Sequence, residues 1–416
     1  MYVTPNICDR TKLTVAIKIS DAAWKKQIED EVEDLLAQIN IHELVSRAST
    51  LRDNIGCKFQ PGKYIGNGAI MGCANYHAWL HFEDGEKWLV RIPRKGLGDV
   101  PDDLIEYFVT SEYSTLKYLG STQVPAPKVF GYGLTSDPSN RVGVSYLLMQ
   151  ALPGNPFDPY DATAEQKDTV FKQLAEILIE IHKHPVRRAG SLVYRNGRFE
   201  VMAAASNRFV ALGQYGPFDN AVDYLVGITE NYLDLIADGQ LYHEYPEDAF
   251  LFYVTLRDNA YKLVGDETPA KFFLKHVDDK GDHLLVDEKG NITGIIDWQF
   301  ARCVPACEAF GPSYFTADLN CLYSGKPGIT GDDRRLAREL RLRGADQLAE
   351  HMERNELARR FHHGLASGLA KDEACELIKG ALVAFGRNDT VDLDIWREQT
   401  RKRCENDPRW QRIKTL

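Results

Sequence analysis

The feature that most constrains this chain is a run of charge followed by a hairpin pattern. Lys275-His276-Val277-Asp278-Asp279-Lys280-Gly281-Asp282-His283-Leu284-Leu285-Val286-Asp287 leads, a few residues on, to Ile295-Ile296-Asp297-Trp298. Residues 283–298 read as two short strands around a Lys289-Gly290 turn, because glycine supplies the backbone conformation that tight turns need. A hairpin returns its second strand to the start of its first. The acidic loop at 278–283 and Asp297, which follows two buried-type isoleucines, are therefore expected to be spatial neighbours. Clustered carboxylates repel one another unless a proton or a cation is shared among them. A divalent, oxygen-ligated metal such as Mg²⁺ is the natural resolution.

The rest of the chain reads as a β-rich part followed by a helical part. Before both, Trp24, Ile28, Val32, Leu35, Leu36 and Ile39 mark one face of a helix over 21–45, with Ser20 as its N-cap. Packing of that face on its own chain is the expected role, with a partner-binding helix as the other option. Gly66, Gly68 and Gly72 then precede two strand-like runs that flank an Asp84-Gly85 turn. Residues 103–120 look helical, Val124-Pro125-Ala126-Pro127 breaks that helix, and 142–150 form an apolar strand. Pro153, Gly154 and Pro156 make a linker. Beyond it, Thr163 and Gln166 form a capping-box pattern before the stripe Val170, Leu174, Ile177, Leu178 and Ile181. Helical periodicity continues through 220–262 and 332–385.

Composition narrows the function classes. The 416 residues suit two or three packed units rather than one core. With 60 acidic against 50 basic side chains and no basic run, a nucleic-acid partner is not expected. There is no stretch of 18 apolar residues, so no membrane span is expected, and the first residues do not read as a secretory signal. The eight cysteines are sparse and fit reduced thiols of a cytoplasmic protein. Cys303 and Cys307 have half the spacing of a zinc site, but a second clustered pair is missing.

The loop and hairpin resemble the catalytic loop and metal-binding strand of the aminoglycoside phosphotransferase and choline kinase family. That family's pattern is approximately H-G-D-x-x-x-x-N, then an apolar strand, a turn, and I-D-W. His276, Asp278 and Asp297 match its His, its catalytic Asp and its metal-binding Asp. The resemblance implies an α+β, bilobal protein-kinase-like fold, with a small antiparallel-sheet N-lobe and a large, mainly helical C-lobe. It divides the chain into an extension at 1–56, a nucleotide-binding lobe at 57–152 and a helical lobe at 153–416 that carries the catalytic loop 276–298. It implies ATP as phosphoryl donor with Mg²⁺, or Mn²⁺, and a small-molecule acceptor. Gly66, Gly68 and Gly72 fall where a phosphate-covering turn belongs, Arg91 on the strand that usually carries a lysine, Glu112 where a helix carboxylate pairs with that cation, and Gln150 beside the adenine edge. Asp278 would take the acceptor's proton, His276 would support the loop, and Asp297 with Asp282 or His283 would hold the metal.

Three departures leave alternatives open. Val277 replaces Gly, Arg91 replaces Lys, and His283 replaces the Asn that supplies a second metal contact. Arginine still binds phosphate through its fixed fork, whereas imidazole is a poor ligand for Mg²⁺. Either His283 ligates a metal, or Asp282 supplies the oxygen instead, or His283 binds no metal and leaves a one-metal site or a degenerate enzyme. A pseudokinase-like nucleotide-binding or scaffold protein, and a kinase-fold enzyme with different chemistry, remain as other functions. Glu308, Asp318, Asp332 and Asp333 could suit a cationic acceptor, although a solvated face is the simpler reading, as it is for His362 and His363. His182 and His184 are expected to meet the last carbonyls of their helix. The sequence does not specify the acceptor or the oligomeric state.

Overall fold

Period-two alternation builds the smaller of two lobes. In a computed structural model, residues 21–64, 71–72, 74–94, 100–206, 215–264, 271–354, 356–366, 368–386 and 391–414 are described. Helices α1 (Asp21–Gln38) and α2 (Ile41–Leu51) precede strands β1 (Cys57–Pro61), β2 (Asn75–Phe82) and β3 (Lys87–Pro93). Helix α3 (Asp102–Leu119) and strands β4 (Val129–Gly133) and β5 (Tyr146–Gln150) complete the lobe. The five strands form one antiparallel sheet in the order β1-β2-β3-β5-β4. Tyr76, Ala78, Leu80, Trp88, Val90, Ile92 and Leu148 point to one face, where they form a core with Ile28, Val32, Ile39, Leu44 and Ala48 of α1 and α2. The alternate residues Leu147 and Met149 face the other way, into a second core shared with Val109, Leu116 and Leu119 of α3.

The larger lobe begins at the proline-rich junction. There β6 (Asn155–Pro156) leads to α4 (Ala164–His182), the hairpin β7 (Ser191–Arg195) and β8 (Arg198–Met202), α5 (Ala221–Ala237) and α6 (Pro246–Asn259). Next come β9 (Phe272–Lys275), β10 (Leu284–Val286), β11 (Ile292–Ile295) and β12 (Arg302–Pro305). Eight helices follow: α7 (Ala306–Ala309), α8 (Leu319–Tyr323), α9 (Gly331–Leu342), α10 (Asp346–Arg354), α11 (Leu357–His363), α12 (Lys371–Ala384), α13 (Leu393–Arg403) and α14 (Pro408–Ile413). Its core is continuous with that of α3 and β5 and includes the fully buried Tyr224, Phe250, Phe252, Phe272, Trp298, Phe310 and Trp396. The mixed, two-lobed protein-kinase-like architecture is the one expected.

Several local expectations need correction. The 21–45 helix is two helices, because Asn40 caps α2 by accepting from the Glu43 N–H at 3.3 Å while its own N–H donates to Val142 O at 2.8 Å. Trp24, assigned to the buried stripe, is 55% exposed. The strand at 142–150 shrinks to Tyr146–Gln150. Its apolar start is buried as a loop instead, since Asn140 Nδ2 ties Leu134 O at 2.9 Å and Val144 O at 3.0 Å. The supposed linker is itself β6, paired with Leu285 and Val286 of β10. Glu308 and Asp333 lie on no solvated face. Glu308 is buried against His362 Nε2 at 3.1 Å, and Asp333 accepts from Arg359 at 3.0 Å. Only with such partners does a carboxylate remain inside a lobe. His363 packs on the rings of Tyr314 and Tyr323, His182 on Phe273 and Phe310, and His184 pairs with Glu180 at 3.0 Å. No helix among the described residues is long and apolar enough to cross a membrane. Ser20, Gly66 and Gly68 lie outside the described residues.

Candidate active site

The hairpin of β10 and β11 forms as expected, with Leu284 opposite Ile295. Asp287 organises its turn. One carboxylate oxygen accepts the main-chain N–H groups of Lys289 at 2.9 Å and Asn291 at 2.8 Å, and the other accepts Asn291 Nδ2 at 2.8 Å. Helix α4 grips the same turn, through Gln166 Nε2 to Glu288 O at 3.0 Å and the Ile292 N–H to Gln173 Oε1 at 2.8 Å. The capping box of Thr163 and Gln166 fixes the start of that helix. The loop and Asp297 are thereby brought together: Ile296 N–H donates to His283 O at 2.9 Å. Asp297 lies two residues beyond the end of β11, with φ of 67°. A non-glycine residue in that left-handed region carries strain that surrounding contacts must hold.

Those contacts come from the small lobe. Alternation in β3 sends Val90 and Ile92 to the α1–α2 core and Arg91 to the opposite face. Arg91 Nη1 lies 3.3 Å from Glu112 Oε1 of α3, and its Nη2 bonds Asp297 Oδ1. Gln299 Oε1 also accepts from Nη2, at 3.1 Å, and the buried Gln299 and Asn75 amides meet at 2.7 Å. One guanidinium thus serves two carboxylates, with unequal results. Burial pushes Glu112 up to about 7; Arg91 opposes the rise and the neighbouring Asp297 adds to it. Burial works against ionised Asp297 as well, but Arg91 chiefly, then His276 and His77, hold it at about 2. The difference follows from the guanidinium: Asp297 takes its shorter bond, whereas Glu112 meets Nη1 at 3.3 Å and has Asp297 as a like-charged neighbour.

The loop itself separates into supporting and exposed groups. His276 is buried, its Nε2 donates to Ile296 O at 2.8 Å, and its ring stacks on His283 at 4.3 Å. His283 Nδ1 accepts the Gly281 N–H at 3.3 Å. Burial first, then the nearby His276, lowers His283 to about 2, so it is a neutral ring turned to its own loop. Asp279 accepts from Lys275 Nζ at 3.0 Å and sits apart from the exposed acids. Asp278, by contrast, is 59% exposed, and Lys280 Nζ lies 3.0 Å from its Oδ2 and 3.8 Å from Asp282 Oδ2. Burial disfavours the Lys280 charge, yet Asp278, Asp282 and Asp297 together raise its pKa. Asp282 is raised too, by burial and by its like-charged neighbours Asp278 and Asp297, against Lys280.

Among the remaining expected contacts, Gly72 has no described atom within 4 Å of where a Cβ would stand. Gln150 ends β5, and its side-chain oxygen accepts from the Lys128 N–H at 3.3 Å. Sequence reasoning missed Lys280, Asn75 and Gln299. Lys280 was legible as the sole cation between two acids of the loop. Asn75 and Gln299 carried no local signal, because 224 residues separate them.

The donor set suits a hard cation in one respect. Asp297 and Asp282 offer oxygens, while the His283 lone pair at Nδ1 is already engaged. Among the described residues no three His, Cys, Asp or Glu side chains are already grouped as a metal site.

Comparison with known proteins adds three findings. The sequence model of the phosphotransferase enzyme family matches residues 71–319. No curated protein matches the sequence. Among solved structures, wild-type aminoglycoside 2'-phosphotransferase-IIIa in its GDP complex is similar at 18% identity and a TM-score of 0.46, covering 91% of this chain and 100% of that one. The macrolide 2'-phosphotransferase of Brachybacterium faecium is similar at 17% identity and a TM-score of 0.40, covering 84% and 99%. ADP-bound aminoglycoside phosphotransferase APH(2'')-Ib is similar at 12% identity and a TM-score of 0.43, covering 82% and 98%.

Proposed function

The chain belongs to the phosphotransferase enzyme family, and from that premise we propose that it transfers the γ-phosphoryl group of ATP to a hydroxyl or similar group of a small molecule. The observation that carries this reading is the junction of Arg91, Glu112 and Asp297, in which strand, helix and post-hairpin residues from two lobes meet beside the exposed Asp278. Arg91 would bind donor phosphates, a task for which its fork is suited. Gly72, with Gly66 and Gly68, would let backbone approach them, and Gln150 would stand at the base. Asp297 and Asp282 would hold Mg²⁺, and His283 would brace the loop. When bound, Mg²⁺ supplies positive charge to the phosphate oxygens.

In the transfer, the acceptor oxygen forms a bond to the γ-phosphorus as the bond from that phosphorus to the β,γ-bridging oxygen breaks, and ADP leaves. Asp278 orients the acceptor hydroxyl and takes its proton late in the step. Lys280, between Asp278 and Asp282, adds a cation where phosphoryl oxygens gain charge. The exposed acids Asp278 and Asp282 favour an acceptor that carries positive charge.

One observation favours a second reading. Arg91 is bonded directly to Asp297, an arrangement that a nucleotide-binding module without catalysis could also keep. A single set of measurements separates the two. ATP with Mg²⁺ or Mn²⁺ is expected to raise the melting temperature, and Asp297→Ala is expected to abolish that rise. Asp278→Asn is expected to keep the rise and lose transfer, scored with γ-labelled ATP against a metabolite panel, by about 10²–10⁴-fold. A rise without transfer to any acceptor supports the non-catalytic module. No rise with any nucleotide–metal pair defeats both readings.

A further inference from the structure

The β7–β8 hairpin belongs to the large lobe, yet it holds the small-lobe helix that carries Glu112. The Tyr107 hydroxyl of α3 donates to Ala203 O, just beyond β8. About two turns along the same helix, the Tyr194 N–H of β7 donates to Ser114 Oγ at 2.8 Å. That hydroxyl gives its own proton to Thr110 O of its helix, so its acceptor side is turned to the hairpin. Both anchors lie on one face of α3, and Glu112 falls between them along the axis. Rings extend the contact. Phe199 meets Tyr118 at 5.3 Å and Tyr194 at 4.9 Å, and Lys117 Nζ lies 4.8 Å from the centre of the Tyr194 ring.

The base of the hairpin is tied to the chain that follows Asp297. Ser191 Oγ donates to Ala301 O at 2.9 Å and accepts the Ala205 N–H at 2.9 Å. The Gly190 N–H donates to Cys303 O at 3.1 Å, and the Cys303 N–H returns a bond to Gly190 O at 2.7 Å. One element thus refers Glu112 and Asp297, the two carboxylates that share Arg91, to a common frame. Apolar packing alone does not do this. Val109, Leu116 and Leu119 join α3 to the large-lobe core, but such contact is non-directional and tolerates a helix that slides or rolls. Hydrogen bonds weaken steeply off their line, so the two anchors set the register.

We propose that the β7–β8 hairpin is a positioning element of the nucleotide site: through Tyr107 and Ser114 it sets where α3 holds Glu112 against Arg91, and nucleotide affinity depends on that hold. This rests on the phosphotransferase reading above. Tyr107 and Ser114 are positioning residues and touch no reacting atom.

The test uses the full chain, with ATP and Mg²⁺ as the probe, so that no acceptor is needed. Thr255→Val is the stability control. It strips Trp396 Nε1 of its acceptor within the large lobe, and is expected to lower the melting temperature while leaving Kd for ATP within about twofold. Tyr107→Phe with Ser114→Ala removes both anchors and keeps the ring packing. Hydrogen exchange of the α3 amides is expected to quicken beyond that of the control. Kd, read by titration calorimetry, is expected to rise about tenfold, within the usual range for coupling between distinct sites. Coupling to Glu112 separates positioning from bulk stability. In a Glu112→Ala background Arg91 has lost the partner that α3 supplies, and adding the two anchor substitutions is expected to change Kd by less than about twofold. A full tenfold change in that background overturns the proposal, as does an unchanged Kd when Glu112 is present. A wild-type chain that binds no nucleotide overturns the phosphotransferase reading instead. In that event α3 exchange quickened beyond the control still upholds the hold of the hairpin on α3, and unchanged exchange overturns it.

Discussion

At the scale of single residues, the unequal sharing of Arg91 has a measurable consequence. Glu112 titrates near 7 in the folded chain and near 4.5 when unfolded. Between those values the folded state holds a proton that the unfolded chain has released. The stability this provides is full below about 4.5 and is lost as pH rises through about 7. Glu112→Gln removes the titration. Its stability relative to wild type is therefore expected to improve from pH 5 to pH 8 by at most about 3 kcal/mol, read from urea denaturation at each pH. A flat difference would show that Arg91 keeps Glu112 ionised throughout. The nearness of Asp297 to the acidic loop was legible from the hairpin pattern, whereas Arg91, Glu112 and Asp278 stood out only through the resemblance to the kinase family. The orientation of His283 was not legible. It depends on stacking against His276 and on one loop N–H, and neither leaves a trace in spacing.

At the scale of elements, the hairpin is the best-read part of the chain and α4 is what makes it rigid. Gly290 has φ of 81°, and a Cβ there would stand 2.9 Å from both the Cα and the carbonyl oxygen of Gln166. Gly290→Ala therefore combines a left-handed strain with a clash against α4 backbone that no rotamer relieves. A loss of about 1–3 kcal/mol is expected from the strain alone, measured by urea unfolding. Phosphoryl transfer should fall with it, because the turn and Asp297 belong to one hairpin. Stability lost with transfer rates intact would detach the turn from the site. Other elements were readable but overlooked. Ser191–Met202 alternates around an Asn196-Gly197 turn and forms the β7–β8 hairpin. The β9–β12 pair had no such signal: its strands are four residues each and pair across the whole catalytic segment, so only tertiary packing defines them.

At the scale of the whole molecule, the sheet core under α1 and α2 stands apart, whereas α3 and β5 share one apolar core with the large lobe, and polar groups add to that join. The period-two and 3.6-residue patterns determine each core, since they concern neighbours along the chain. The join is different. Beside that shared packing it includes Arg91 on Asp297 and Asn75 of β2 on Gln299 beyond the hairpin, and the sequence distance between those partners hides them. Gln299 and Asn75 are both buried, so removing either leaves polar groups without partners at a cost of about 1–3 kcal/mol. If the pair connects the lobes, the two losses are not independent. Gln299→Ala and Asn75→Ala are each expected to destabilise the chain, and the double variant to lose less than the sum of the two by at least about 0.5 kcal/mol. The same cycle run on the ATP-dependent rise in melting temperature tests the function of the join. On the proposed function a nucleotide between the lobes would draw Arg91 toward phosphate, and the amide pair would then remain to hold the β2 side against the Asp297 side. Additive losses in both cycles would mean that the lobes are held by the apolar core they share and that the cleft opens without resistance from this contact.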